Sequence, residues 1–493
     1  LNTLILHEDD DLLVVNKPSG INTHKPDRYA PDGIHEWLTR QGRSLSIQQR
    51  LDKDTSGVLV FGKTTRANQS LTRQFTAHVV EKQYLLLTGN KPRRARFRAK
   101  SADAVTEFDF VQPHDSLFLV RARPLTGKTH QIRRHAADNG FPIAGDTEYG
   151  GAPAPRLMLH AHRLRFEHPA TGQRVTFEAS VPRAFDELDA LPAAQEFREL
   201  LFDERTNAYR LVSGAADGFP DAIVDWYDGR ALVQWQTETR SAELVAALPA
   251  GAVYEQTVTR QKRTAPQCTR GEPVDGRFPV RENGVNYLVS FGEGFSTGIF
   301  LDQRENRRRL LTMNLAGTTL LNCFAYTCAF SVPAARAGAV TTSVDLSRNY
   351  LDWGRENFRA NGLDPAAHDF IFGDVFDWLK RFAKRDRQWD VVVLDPPTFS
   401  TTKTGRSFRA VRDYRELNAL ACRLVAPGGW LFCSTNQRTL APDKFEATLR
   451  EAARACGRVI EELEFQTLPF DFRVPAGQRP YLKTFWARLQ SPA

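Results

Sequence analysis

Arg50-Leu51-Asp52-Lys53-Asp54-Thr55-Ser56-Gly57 places two carboxylates, two hydroxyls and a glycine at the entrance of an apolar run. A carboxylate in such a polar pocket can serve as nucleophile or base. Taken alone, the octapeptide also reads as a solvated turn before a strand. A second concentration of chemistry lies downstream. Asn322-Cys323-Phe324-Ala325-Tyr326-Thr327 follows a buried run and precedes a helical stretch. Its backbone can approach a ligand, and the helix N-terminus favours a negative group. Asp345 ends the next run about 20 residues later, the spacing at which an acid meets ribose hydroxyls in nucleotide-binding α/β folds. Gly373-Asp374-Val375 follows a third run, and Asp395-Pro396-Pro397-Thr398-Phe399 follows a fourth.

Two kinds of scaffold must position these groups. Before residue 190 the chain alternates short apolar runs with turn residues, and these predict strands at Leu12–Val15, Gly57–Gly62, Tyr84–Leu87 and Leu117–Val120, with a helix over Thr65–His78. That pattern predicts an α+β domain with a mostly antiparallel sheet. Residues 184–204 read as a charged helical connector and the seam between domains. Short strands return at 222–225 and 231–235, and Gln261–Val274 reads as a polar, basic loop. From residue 291 strands and helices alternate, which predicts a doubly wound, largely parallel sheet of Rossmann-like type. The expected division is 1–190, a small β-rich middle domain with its linker helix at 191–290, and 291–493.

A chain of 493 residues exceeds one ordinary core. Its net charge of +8 favours a polyanionic partner. The longest apolar runs are too short to span a bilayer, so no membrane association is expected, and the N-terminus does not look like a signal peptide. None of the six cysteines forms a Cys-x-x-Cys pair, so neither disulfides nor a metal site is expected, and a reducing cytoplasm fits.

Asn16-Lys17-Pro18-Ser19-Gly20, Arg50–Gly57, Lys82-Gln83-Tyr84, Pro124–Arg133, Gly145–Gly150 and Leu159-His160-Ala161, in this order, resemble the RluA family of pseudouridine synthases over residues 5–185. The resemblance implies that uracil is detached from its ribose, rotated and rejoined through C5, without a cofactor. Asp52 is then the catalytic aspartate, Arg50 the base-flipping arginine and Tyr84 the ring stacked on uracil. Arg133 is expected to pair with Asp52 and keep it ionised. Gln49 stands where most of the family has histidine. The chain also starts almost at the catalytic motifs, so the small RNA-binding domain that many relatives carry in front is not expected. The basic run Lys91–Lys100 is a candidate for phosphate contacts in its place.

The second half resembles class I methyltransferases that use S-adenosylmethionine, through Asn322–Thr327, Asp345 and Asp395-Pro396-Pro397. Thr206–Val212, Ala216–Pro220 and Thr297–Arg307 narrow the resemblance to the RlmI and RlmK group of ribosomal RNA methyltransferases over residues 200–490. It implies that Gln303 and Arg304 help enclose the cofactor. Asn322, Phe324, Tyr326 and Thr327 would line its loop. Asp345 and Leu346 would meet the ribose, and Asp374 and Val375 the adenine. Asp395, which also touches the cofactor, and Pro396 would shape the base pocket, with Phe399 stacked on the target base. Methylating cytosine C5 needs a cysteine that first adds to C6. The corresponding position here is Asn436, and Cys433 lies three residues too early. Ser434–Arg438 is closer to the RlmK pattern, whose target is guanine N7. Where relatives have glycine after Tyr-Thr, this chain has Cys328-Ala329, a change expected to weaken cofactor binding.

The expectation is a bifunctional enzyme acting on RNA, with large-subunit ribosomal RNA as partner. The alternatives are a second half that makes 5-methylcytosine through Cys433, or an RNA-binding or ribosome-assembly module with silent sites.

Overall fold

The computed structural model describes residues 4–293, 296–397, 399–401, 407–475 and 477–490, the side chains of 399–401 and 407–411 excepted. Two compact units emerge. One comprises Leu1–Pro26, Asp32–Asp203 and Asp217–Pro220; the other comprises Asp27–Pro31, Glu204–Ala216 and Asp221–Ala493.

The first unit is built on a ten-stranded sheet. Its main path runs Ile5–Glu8, Leu12–Lys17, Ser56–Gly62, Leu159–Glu167, Glu81–Thr88, Leu117–Pro124, Ala104–His114 and Arg96–Ser101. Every pairing along it is antiparallel except that of Ser56–Gly62 with Leu159–Glu167. Leu12–Lys17 and Ser56–Gly62 are buried throughout, as strands covered on both faces must be. Over one face lies the helix Thr65–Thr76, started by the Thr64 hydroxyl accepting from the Ala67 N–H. It buries Ala67, Leu71 and Gln74 at helical spacing, and its apolar pair packs with Val14, Val58, Val60 and Leu164. Ile132 and Ala136 of the helix Gln131–Asp138 pack with Leu86, Phe108 and Val120. The predicted connector forms the helix Ala190–Leu201, which buries Leu191, Ala194, Phe197 and Leu201.

The second unit holds a five-stranded sheet in the order Ala208–Ser213, Ala222–Tyr227, Arg230–Trp235, Ala252–Thr257, Gln267–Arg270. The last of these corrects the expected loop at Gln261–Val274. This four-residue strand pairs antiparallel with Ala252–Thr257 through Gln267, Cys268 and Arg270, and completes an otherwise open edge. A hairpin, Phe278–Glu282 with Val285–Val289, follows. The seven-stranded sheet then runs Asp369–Phe372, Val340–Asp345, Thr319–Cys323, Trp389–Leu394, Val425–Thr435, Lys483–Leu489, Ile460–Gln466. The first five strands are parallel and Lys483–Leu489 runs antiparallel to both of its neighbours, while the strand order reverses beside Thr319–Cys323. In open sheets of this kind the crevice at that reversal is where ligands bind.

Candidate active sites

Asp52 lies in the loop that enters the buried strand Ser56–Gly62. The preceding turn clamps that loop. Lys17 is fully buried, and its ammonium donates to the carbonyls of Pro18 (2.9 Å), Ile21 (2.7 Å) and Lys53 (3.0 Å). Burial draws its pKa down to about 7. The Ser19 hydroxyl donates to the Asp54 carbonyl at 2.7 Å, and Thr23 exchanges bonds with Leu51 at 3.0 and 3.1 Å. Gly57 closes the motif with φ +115°, and a Cβ there would lie 2.2 Å from the Ala161 carbonyl oxygen. Only glycine fits this approach.

Arg50 is exposed beside Asp52 in the chain, and Tyr84 is half-buried on Glu81–Thr88. Burial, and then the charge of Asp52, push the Tyr84 phenol up, so it stays protonated. The expected pair between Arg133 and Asp52 is corrected. Arg133 grips Asp146 with both arms of its guanidinium, Nε to Oδ2 and Nη2 to Oδ1, each 2.7 Å, and Nη2 reaches Glu148 at 3.0 Å. The Asp146 side chain is fully buried, so it takes the fork-shaped partner, and Arg133 acts on Asp52 only through space.

His130 lies within the Pro124–Arg133 motif, whose pattern gives it no role. Its backbone is left-handed, with φ +54°. Nε2 lies 4.0 Å from Asp52 Oδ2, while Nδ1 lies 3.2 Å from the Tyr149 hydroxyl and 3.4 Å from a Glu148 carboxylate oxygen. The run Lys91–Lys100 leads into the edge strand Arg96–Ser101, and its charged side chains are exposed. Among the described residues, His7, Asp9 and His168 have metal-ligand spacing. Nδ1 of His168 accepts from the N–H groups of Ala170 and Thr171, so Nε2 carries the proton and donates to Asp9 at 2.9 Å. That arrangement is a hydrogen-bonded clasp rather than a ligand set.

In the second unit a cavity of about 310 Å³ opens at the ends of the parallel strands. Gln303, Phe324, Tyr326, Asp345, Leu346 and Val375 line it, with Asp395, Pro396, Pro397 and Asn436. The loop after Thr319–Cys323 makes its floor. Phe324, Tyr326 and Cys328 all have left-handed backbones, which turns the chain sharply without glycine. Asp345 holds the turn by accepting from the N–H of Tyr326 (2.8 Å) and of Ser347 (2.9 Å), and burial pushes its carboxyl up. Gln303 bridges the far wall, donating to Asp395 at 3.0 Å and to Ser434 at 2.7 Å. Burial raises the Asp395 pKa to about 6, against the pull of Ser434.

Four expected cofactor residues do not line this cavity. Arg304 is buried and paired with Asp471. Asn322 turns inward and donates to Ser331 at 2.9 Å. Thr327 donates to the Gly298 carbonyl at 2.6 Å, and Asp374 caps the helix Val375–Ala383. Cys328 is also outside the lining, its Sγ packed where a Cβ on Gly354 would sit. Cys433 is fully buried, donates to Asn418 Oδ1 at 3.2 Å, and has its thiol pushed well up by burial. The Phe399 side chain lies outside the described residues.

Residues 210–479 match the family of S-adenosylmethionine-dependent methyltransferases. The chain belongs to that family. Residues 11–138 match the RNA pseudouridylate synthase family, so a pseudouridine synthase and a methyltransferase are joined in one chain. The Bacillus subtilis protein YwbD, named as a ribosomal RNA large subunit methyltransferase, is 38% identical over 58% of this chain and 75% of its own length. Escherichia coli ribosomal RNA large subunit methyltransferase I is 33% identical over 61% of this chain and 79% of its own. A solved Streptococcus mutans structure described as a methyltransferase of this kind superposes with TM-score 0.55 at 28% identity, over 66% of this chain and 87% of that one. S-adenosylmethionine is the cofactor of the second half, and the lining fits it: an acid at the second strand end, aromatic rings, and a volume in the range of ligand pockets. Among the described residues no helix is long and apolar enough to cross a membrane.

Proposed function

We propose that the first half isomerises uridine in RNA and that the second methylates a guanine at N7, both in large-subunit ribosomal RNA. We place the working domains at 1–190, 191–290 and 291–493. In the first site Asp52 is the catalytic carboxylate. Arg50 occupies the gap left by the flipped nucleotide, whose extrusion costs a few kcal/mol. Tyr84 stacks on uracil, a contact of about 1–3 kcal/mol. The exposed cations of 91–100 hold phosphates.

The observation that carries the N7 reading is the wall of the second cavity. Asn436 lines it, whereas Cys433 is buried and bonded to Asn418. Addition to cytosine C6 needs a thiolate facing the base, and Cys433 offers none. Guanine N7 has an exposed lone pair, so positioning suffices. S-adenosylmethionine supplies an electrophilic methyl group when bound. Asp345 holds the loop and the ribose side of the cofactor, while Asp395 and Pro396 orient the base. Mass spectrometry of nucleosides from unmodified large-subunit RNA incubated with the protein tests both halves. Pseudouridine without cofactor, and 7-methylguanosine only with it, is the expected result. Methyl label in cytosine overturns the N7 assignment.

A further inference from the structure

We propose that His130 is the base that removes the C5 proton of uracil in the last step of the isomerisation. The inference rests on the first half being a pseudouridine synthase and goes beyond it by naming the group that ends the reaction. After C5 joins C1′, that carbon carries both the ribose and its original hydrogen, and the ring holds a C6=N1 double bond. Product forms when the C5–H bond breaks and its electron pair becomes C5=C6. The C6=N1 pair moves to N1, which takes a proton from water. A base must stand near the reacting carbon, on the Asp52 side of the uracil.

Three features of His130 meet that requirement. Its Nε2 lies 4.0 Å from Asp52 Oδ2, too close for an atom to sit between them but near enough that a ring atom resting against one is within reach of the other. Its Nδ1 faces two oxygens, the Tyr149 hydroxyl at 3.2 Å and Glu148 at 3.4 Å. A proton on Nδ1 satisfies them and leaves the Nε2 lone pair directed at the site. This is the same logic by which a carboxylate fixes the tautomer of a catalytic histidine. Glu148 is itself held by Arg133 at 3.0 Å, so the orienting carboxylate has a fixed place. Finally, the φ of +54° at His130 puts a non-glycine residue in the left-handed region at the N-cap of Gln131–Asp138, without a side-chain capping bond. The cap is not what the side chain serves; the imidazole is turned toward Asp52 and Tyr149.

The nearby alternatives are not free to accept a proton. Lys17 gives its three N–H groups to carbonyls. The Tyr84 phenol is held protonated by burial and by Asp52. In the proposed reaction Asp52 serves the ribose.

The test uses the full chain and RNA carrying deuterium or tritium at uridine C5. For His130→Gln we expect tritium release to fall ~10²-fold, the usual worth of a positioned general base. We also expect a C5 isotope effect on product formation larger than in the wild type, because proton removal has become slow. Glu148→Gln, which disturbs only the orienting group, should show the same isotope effect with a smaller fall in rate. A fall in rate for His130→Gln with no change in isotope effect would mean a structural role and overturns the proposal, as does an unchanged rate. Wild-type protein that releases no tritium removes the pseudouridine reading itself, and the inference with it.

Discussion

Gly354 has no space for a side chain: an added Cβ would lie 2.4 Å from the Cys328 Sγ and 3.0 Å from its Cβ. The Cys328 side chain thus occupies room left by a glycine on the neighbouring helix. Gly354→Ala should destabilise the second unit by about 1–3 kcal/mol through overpacking. Adding Cys328→Gly should recover most of that loss, because glycine also relaxes the φ of +60° at this position. Urea unfolding of the four members of the cycle measures the coupling, and additive effects would refute the contact. Asp395 gives a pH-dependent counterpart. Its carboxyl rises from the ordinary 3.8 to about 6 on folding, mainly through burial. Below pH 3.8 both states are protonated and the group contributes nothing; between 3.8 and 6 only the folded state holds the proton, so stability falls as pH rises. Above pH 6 the full penalty, about 3 kcal/mol at most, is in place. Asp395→Asn should therefore stabilise the second unit at pH 8, lose that gain toward pH 4, and abolish methyl transfer. Unfolding midpoints at the two pH values decide it.

The elements show which parts of this arrangement a sequence can carry. The alternation of strand and helix after residue 291 announced the parallel sheet because each βα unit has its own period and its own turn residues. Asn16–Gly20 and Arg50–Gly57 flank adjacent antiparallel strands, a pairing that their order in the chain does not state. What stayed hidden was the choice among equivalent partners. Nothing in the sequence favours Asp146 over Asp52 as the partner of Arg133; burial of Asp146 decides it. Nor does sequence show that Arg304 reaches Asp471, 167 residues away. The short strand Gln267–Arg270 was missed because its exposed positions make it polar, and only the open edge of Ala252–Thr257 calls it into the sheet. The turn that carries Lys17 is the element on which the first site depends. Lys17→Met keeps the apolar stem but leaves the Pro18, Ile21 and Lys53 carbonyls without their donor. Each buried loss costs about 1–3 kcal/mol, and the cheapest relief is a shift of the Asp52 loop. Pseudouridine formation should drop by orders of magnitude, while methyl transfer, measured in the same tube, should stay within twofold.

At the scale of the whole chain, two units with separate cores and separate chemistry share one polypeptide. Binding linkage makes their independence measurable. A ligand that binds only the folded second unit stabilises that unit and nothing else. The demethylated product of the cofactor, added at about 100 times its Kd, should contribute about 2.7 kcal/mol. For a unit of this size that corresponds to a shift of roughly 5 °C in its transition. The cavity that takes the ligand is lined wholly by residues from Phe300 to Leu482, so no group of the first unit needs to order when it fills. Calorimetry of the full chain should show one transition move and the other stay. Asp395→Asn should weaken the ligand-induced shift, whereas Asp52→Asn should leave it intact while stopping pseudouridine formation. If both transitions move together, the units unfold as one cooperative body, and a substitution in either site would then be felt as lost stability in the other.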